Sequence, residues 1–248
     1  MKNWQKALDK FLEKYKNEDW FEGAVLCGSY ASGNQNEFSD IDVHILINDK
    51  ENWRERGVVK TDGFLIEYFM NPAKQIRREF EDDYLNGRDC SDSMFGYGRI
   101  LLDKRGCVKE LQDEALKYLK KTPRKWKKEE LIFSLYGVWE LMDELNSLSI
   151  EKRPFNLVYY ELAKNLLSVY CKIKGIPQIV TTKAEKILAE PDFARKYNCK
   201  KLPNKEFTKL FLSVLSKPDI SEIRNLYDLV IKAAGGFDIT KFKSRSKL

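Results

Sequence analysis

Residues 24–47 decide the fold of this chain, and they read AVLCGSYASGNQNEFSDIDVHILI. The stretch begins with a short apolar run that ends at Gly28 and Ser29, which predicts a buried strand followed by a turn. Residues 40–47 alternate acidic and aliphatic side chains before they become wholly apolar, which predicts a second strand with a polar face at its start. The pattern therefore predicts the order strand, turn, short helix and strand.

The second predicted strand begins with two aspartates, Asp40 and Asp42, that are separated by one residue. Side chains two apart on a strand project from the same face, so we expect the two carboxylates to lie side by side. Adjacent carboxylates repel each other, and a divalent metal is the usual reason to keep such a pair. Mg²⁺ prefers oxygen ligands and combines one or two carboxylates with substrate phosphates. We expect a third carboxylate on a neighbouring strand, where the predicted strand of residues 64–70 offers Glu67.

The turn at Gly28 and Ser29 has the composition of a phosphate-binding site. Glycine lets the backbone approach a phosphate closely. Ser29 adds a hydroxyl and an amide at the predicted start of a short helix, where anions are favoured. Together with the three carboxylates, this turn predicts a site for a metal-bound triphosphate.

The rest of the sequence has two halves of different character. Elements of the first half are predicted at residues 1–20 (helix), 58–60 with 64–70 (hairpin), 72–86 (helix), 99–103 (strand) and 108–121 (helix). Elements of the second half are predicted as helices at about residues 131–145, 155–174, 183–190, 204–216 and 219–234. We therefore predict an α+β fold, with a mixed sheet flanked by helices in residues 1–122 and an all-helical domain in residues 123–248.

Composition excludes several classes of protein. The chain has 248 residues, of which 43% are hydrophobic, so it can build a sizeable core. No apolar run approaches the ~18 residues of a membrane span, and the N-terminus lacks the pattern of a secretory leader, so we expect no membrane partner. The five cysteines are widely spaced without a CxxC pair, which favours a reducing, cytoplasmic setting. The single histidine, His44, excludes a His-rich metal site, and it is expected either near the carboxylates or packed in the core.

The net charge of +6 is a weak indication of a polyanionic partner, because the basic residues are interleaved with 38 acids. Two basic clusters stand out, residues 120–128 and the tail of residues 241–248. These clusters are typical of solvated surface. If they bind a polyanion, the phosphates of a nucleotide would pair with them as well as RNA would. We expect no nucleic-acid partner, and no oligomeric state follows from the sequence.

Residues 28–42, GSYASGNQNEFSDID, resemble the signature of the polymerase-beta-like nucleotidyltransferase superfamily, most closely that of its small-molecule and minimal members. A helical second half behind such a domain resembles the arrangement of the aminoglycoside and lincosamide nucleotidyltransferases. The resemblance implies transfer of a nucleoside monophosphate from a nucleoside triphosphate to an acceptor, usually a hydroxyl, with release of pyrophosphate. It also implies two Mg²⁺ ions, with ATP as the default donor among the nucleoside triphosphates.

The resemblance also implies roles for individual residues. Gly28 and Ser29 would hold the triphosphate, and Ser39 belongs to the same motif and would contribute to nucleotide binding. Asp40 and Asp42 would be metal ligands and catalytic. Members of the superfamily differ at the third carboxylate, so Glu67 would be either a metal ligand or the general base. Lys164, in the helical half, would reach the triphosphate as lysines do in related enzymes, or it is a solvated helix residue.

The acceptor stays open at this point. The acidic segment from Glu79 to Asp92 would line a pocket for a cationic acceptor such as an aminoglycoside, or it is a solvated helix face. Three other functions compete with a small-molecule enzyme: an antitoxin-like enzyme that adenylylates a protein, a non-catalytic nucleotide-binding module, and a template-free RNA polymerase. The long helical half speaks against the first, the three carboxylates against the second, and the scattered charge against the third.

Overall fold

The computed structural model describes residues 3–243, which divide into two compact units. One unit extends through Thr122 and includes Lys196–Asn198, and the other begins at Pro123 and contains the remaining described residues. The basic tail from residue 244 onward lies outside the described residues.

The first unit is built on five strands. They are β1 (Phe21–Leu26), β2 (Ile41–Ile47), β3 (Glu55–Thr61), β4 (Phe64–Pro72) and β5 (Arg99–Asp103). The sheet order is β3-β4-β2-β1-β5, in which β2 and β4 are parallel and every other neighbouring pair is antiparallel. β3 and β4 are joined by a two-residue turn in which Asp62 and Gly63 both have positive φ, the geometry that a tight hairpin requires.

Helices cover both faces of this sheet. They are α1 (Trp4–Leu12), α2 (Gly28–Ser32), α3 (Ala73–Asn86), α4 (Cys90–Gly96) and α5 (Cys107–Lys120). On one face α1 buries Leu8 and Phe11 in a core that also contains aliphatic side chains of β2 and β4. On the other face Phe80 of α3 and Phe95 of α4 form a second core with β1 and α5. Because β2 is covered on both sides, its second half is wholly apolar.

The described part of the second unit contains helices and no strand. The helices after Pro123 are α6 (Lys128–Ile150), α7 (Asn156–Lys174), α8 (Ala184–Ala189), α9 (Pro191–Lys196), α10 (Lys205–Ser216) and α11 (Ile220–Ala233). α7 lies in the core, where the ring of Tyr170 stacks on Phe207 with centroids 3.7 Å apart. The hydroxyl of Tyr159 accepts the backbone N–H of Asp219 at 3.1 Å, which ties α7 to the start of α11. None of the described helices combines the length and apolar character needed to cross a membrane.

The predicted fold class is confirmed: a mixed sheet with flanking helices precedes a helical region. α1 ends at Leu12, earlier than predicted, because the polar residues that follow form turns before β1. α4 was not predicted. The expectation that residues 79–92 form a solvated helix face is wrong for Asp83 and Asp92, which are both buried. The chain turns at Gly87 and folds α4 back over α3 and α5, so these two acids face inward.

Candidate active site

Three carboxylates gather at one end of the first unit's sheet. Asp40, Asp42 and Glu67 each offer an oxygen, and these oxygens all lie within 4.8 Å of one another. All three residues are half-buried. Two oxygens bound to the same Mg²⁺ at about 2.1 Å can be at most ~4.2 Å apart, so small side-chain adjustments would bring this donor set onto a divalent cation. The chemistry of the set, oxygen ligands alone, fits Mg²⁺ or Mn²⁺.

The parallel pairing of β2 and β4 creates this cluster. Asp42 lies directly opposite Glu67 in the register of the two strands. Asp40 precedes β2 by one residue and, two positions from Asp42, shares its face. A slip of one residue between the strands would turn Glu67 to the opposite face of the sheet.

Gly28 lies against Asp42 from the neighbouring strand. The backbone N–H of Cys27 donates to the carbonyl of Asp42 at 2.9 Å, which brings the turn after β1 next to the start of β2. Gly28 has a φ of +63°, and a Cβ added there would overlap the Asp42 carboxylate oxygen Oδ2. The sequence needs glycine at this position both for its backbone conformation and for the space beside the carboxylate.

Arg56 is a charged neighbour of the cluster that sequence reasoning missed. Its Nη2 and Nε atoms donate to Oε1 of Glu67 at 2.6 and 3.1 Å. Arg56 lies on β3, opposite Phe69 of β4, so it faces the same side of the sheet as Glu67. A signal for it existed: the two-residue turn at Asp62 and Gly63 fixes the hairpin register and places Arg56 diagonally across from Glu67.

Residues 5–92 match the sequence model of a family described as the nucleotidyltransferase domain. Over these residues the first unit is similar to a nucleotidyltransferase domain. The match covers about a third of the chain and includes Gly28 and all three clustered carboxylates. It supports transfer of a nucleoside monophosphate and implies a nucleoside triphosphate substrate and a divalent metal, with which the acidic cluster is compatible.

One solved structure is similar to this chain. It is a nucleotidyltransferase-like protein from Exiguobacterium sibiricum 255-15, whose crystal structure was determined at 1.90 Å resolution. The sequences are 11% identical, and the match covers 94% of this chain and 77% of the other, with a TM-score of 0.43. No curated protein matches the sequence.

The two serines expected to bind nucleotide have different surroundings in the first unit. Ser29 directly follows Gly28, and its carbonyl accepts the backbone N–H of Asn34 at 2.9 Å, which closes the turn of α2. The hydroxyl of Ser39 accepts the backbone N–H of Asn36 at 2.9 Å. Ser39 therefore has a local partner that stabilises the loop before Asp40, and a role toward nucleotide stays a prediction for both serines.

His44 and Cys27 are packed residues of the first unit. The ring of His44 is buried, stacks on Phe69 with centroids 4.7 Å apart and meets the edge of Phe95. Burial lowers the pKa of His44 to about 4, so its ring is neutral at pH 7. The thiol of Cys27 donates to the carbonyl of Met94 at 3.3 Å, and burial raises its pKa well above the usual range. Neither side chain has the character of a nucleophile or base at neutral pH.

Lys164 lies in the helical second unit. It is exposed on α7, and its Nζ atom contacts both carboxylate oxygens of Glu161 at 3.2 Å. An exposed lysine held by a neighbour one turn away fits a solvated helix residue. Contact of Lys164 with a triphosphate stays a prediction.

The acidic segment from Glu79 to Asp92 contains two buried carboxylates, Asp83 on α3 and Asp92 on α4. Asp83 pairs with Arg88 at 3.1 Å and accepts the backbone N–H of Ser91 at 2.6 Å. Burial, and next the charges of Asp89 and Asp83, raise the pKa of Asp92 to about 7. Asp83 is thus tied to Arg88 and to the start of α4, whereas Asp92 is partly protonated at pH 7.

Proposed function

We propose that the protein is a Mg²⁺-dependent nucleotidyltransferase that moves a nucleoside monophosphate from a nucleoside triphosphate to a hydroxyl of a small-molecule acceptor, with release of pyrophosphate. The observation that carries this proposal is the cluster of Asp40, Asp42 and Glu67, with oxygens within 4.8 Å of one another inside the residues that match the nucleotidyltransferase domain. ATP is the first donor to test, with AMP as the transferred group.

Each residue of the site has a proposed task. Asp40 and Asp42 hold the metal, with two ions as the proposed number, and Gly28 leaves the space that the triphosphate needs beside Asp42. Ser29 donates its hydroxyl or backbone N–H to a phosphate oxygen. Bound Mg²⁺ would supply charge neutralisation of the triphosphate and a lower pKa for the acceptor hydroxyl. The side chains orient the donor so that the hydroxyl approaches the α-phosphorus in line with the leaving pyrophosphate.

Glu67 is proposed either as the third metal ligand or as the base that takes the acceptor proton. Its position opposite Asp42 supports the first role, since both carboxylates face the same space. A carboxylate beside two proposed metal ligands could also take a proton from a hydroxyl bound there, which supports the second. Ser39 and Lys164 are proposed as accessory nucleotide contacts.

A cationic acceptor, such as an aminoglycoside-like antibiotic, is one class of acceptor to test. α3 follows β4 and begins six residues beyond Glu67, at the far end of that strand. A helix rises ~1.5 Å per residue and a strand ~3.3 Å, so a helix packed back over the sheet comes level with Glu67 after about thirteen residues. The exposed acids Glu81 and Asp82 lie within that length. A neutral hydroxyl compound is the alternative.

Pyrophosphate release tests the proposal directly. The protein is incubated with Mg²⁺, each of the four nucleoside triphosphates and a panel of aminoglycosides, lincosamides and simple hydroxyl compounds. We expect acceptor-dependent release that chelation abolishes and that Asp42→Asn reduces by about 10³-fold, the order expected when a metal contributes several kcal/mol to the transition state. Asp9→Asn, the same change on α1, is the control and should leave the rate unchanged. Release that persists in Asp42→Asn would refute the assignment of the site.

A further inference from the structure

The ion pair between Arg56 and Glu67 takes up one of the two carboxylate oxygens that Glu67 could offer to a metal. Both guanidinium donors converge on Oε1 of Glu67, with Nη2 at 2.6 Å and Nε at 3.1 Å. The side chain of Arg56 is 68% exposed, whereas that of Glu67 is 19% exposed. The guanidinium therefore approaches the cluster from solvent, the direction from which a metal would also arrive.

Arg56 has a second attachment that does not depend on Glu67. Its guanidinium carbon lies 4.7 Å from the centre of the Phe69 ring, directly across the hairpin. Phe69 is itself fixed by its stack on the buried ring of His44. A cation over an aromatic face is attracted by the ring quadrupole. Arg56 can thus give up Glu67 and still remain beside the carboxylates.

Charge balance explains why a cation is placed there. Asp40, Asp42 and Glu67 concentrate negative charge in a half-buried space, and an arginine that pairs with one of them reduces their mutual repulsion. An exposed ion pair is weak, because water screens it and two long side chains lose freedom. A divalent cation that gains three carboxylates at once can therefore replace the guanidinium.

We propose that Arg56 is a positioning residue that serves as the resident counter-ion of Glu67, and that the divalent metal of the site displaces it. This inference rests on the proposed metal site. Arg56 competes with the metal for Glu67, so the protein without nucleotide binds metal more weakly than its three carboxylates alone would. The displaced guanidinium stays over Phe69, where it faces the negative charge that a metal-bound triphosphate brings.

Binding of Mn²⁺ alone to the full-length protein, measured by isothermal titration and by the electron paramagnetic resonance signal of free Mn²⁺, separates this role from a purely structural one. Arg56→Gln should lower the Kd for Mn²⁺ by about 3- to 10-fold. Arg56→Lys keeps the charge but loses the two-donor contact, so its Kd for Mn²⁺ should lie between those of wild type and Arg56→Gln. Lys60→Gln is the matched control: Lys60 lies on the same strand and face but opposite Leu65, so the same loss of charge should change the Kd by less than twofold.

The competition must act through Glu67. In a Glu67→Gln background, Arg56→Gln should no longer tighten Mn²⁺ binding, and circular dichroism should show that all variants remain folded. If wild-type protein binds Mn²⁺ and Arg56→Gln binds it equally or more weakly, or if the effect persists without Glu67, the role of Arg56 is overturned and the metal site stands. If wild-type protein binds no Mn²⁺ with or without a non-hydrolysable ATP analogue, the proposed metal site is overturned, and the role of Arg56 with it.

Discussion

Gly28 combines two constraints at one residue, a left-handed backbone and contact with a carboxylate. Gly28→Ala places a methyl group against Asp42 Oδ2 and strains the backbone at its φ of +63°. We expect about 1–2 kcal/mol lower stability from the backbone strain and, because Asp42 must move, about 10²-fold lower turnover. Thermal unfolding and the pyrophosphate assay measure the two effects separately.

Gly33→Ala is the matched control for this prediction. Gly33 also has a positive φ, +72°, but a Cβ there would meet nothing within 4 Å. This variant should lose similar stability and keep its turnover. Equal losses of turnover in both variants would show that the contact with Asp42 does not matter.

The role of Glu67 is a second question at the residue scale. If Glu67 is a metal ligand, Glu67→Gln should weaken nucleotide affinity and raise the Mg²⁺ concentration needed for activity. If it is the general base, nucleotide binding should persist while the rate falls by ~10²–10⁴-fold, with less loss at high pH where the acceptor ionises unaided. Nucleotide titration and a pH–rate profile distinguish the two, and a variant normal in both would remove Glu67 from the site.

Residue spacing made part of this site predictable. The shared face of Asp40 and Asp42 follows from the two-residue period of a strand. Gly28, in the turn after the first predicted strand, indicated that another group lies close to the backbone there. Arg56 was missed because its contact requires the register of β3 against β4 as well as the parity of Glu67. The sequence left two environments open for His44. It shares the face of Asp42, and that face holds the carboxylates at one end and a packed core farther along the strand.

At the scale of elements, α4 shows what spacing cannot predict. The predicted strand at Arg99–Asp103 and the predicted end of a helix at Asn86 are confirmed, since apolar runs and a glycine mark them. α4 has seven residues, too few for a periodic pattern, and its Asp92 points inward. Its position depends on packing of Phe95 against Phe80 and His44, which no local sequence pattern encodes.

The buried acid of α4 predicts a pH dependence of stability. The pKa of Asp92 is raised from 3.8 to about 7, so the folded protein binds a proton that the unfolded chain releases. This contribution to stability is fully present below pH 3.8 and is lost as the pH rises through about 7. Asp92→Asn keeps the neutral shape and should match wild type near pH 4 and exceed its melting temperature by several degrees at pH 8.

Thermal unfolding from pH 4 to 9 gives the required comparison for Asp92. Asp89 and Asp83 are retained in both proteins, so the titratable group that differs between them is the one at position 92. A difference in melting temperature that does not change with pH would contradict the prediction.

At the scale of the whole molecule, binding of ligands at the site should raise the stability of the folded protein. A ligand present at ~100 times its Kd stabilises the native state by about 2.7 kcal/mol. For a chain of this size that corresponds to a shift of about 5–10 °C in melting temperature. We expect this shift with Mg²⁺ and a non-hydrolysable ATP analogue together, a smaller one with either alone, and none for the mixture in Asp42→Asn. A shift that survives chelation would mean that nucleotide binds elsewhere.

The class of acceptor is testable through the charge of α3. Glu81 and Asp82 are exposed, whereas Asp83 is buried and paired, so a variant that includes Asp83 would mix binding with stability. Glu81→Gln with Asp82→Asn should raise the KM of a cationic acceptor several-fold, more at low salt, and leave the KM of the nucleotide unchanged. Gln retains the hydrogen bond from the Tyr118 hydroxyl to residue 81. An unchanged KM for a polycationic acceptor would exclude α3 from its binding site.

The turn at Asp62 and Gly63 has a consequence for how sequences of this kind can vary. Pairing of β4 with β2 sets the position of Glu67 against Asp42, whereas pairing through the turn sets the position of Arg56 against Glu67. Two residues inserted before Asp62, with Asp62 and Gly63 kept as the turn, would slide β3 along β4 by two positions and replace Arg56 with another side chain, while the carboxylates keep their register. A change in the length of the hairpin can therefore change which side chain lies beside Glu67 without moving the three carboxylates. Related chains can accordingly differ at the position of Arg56.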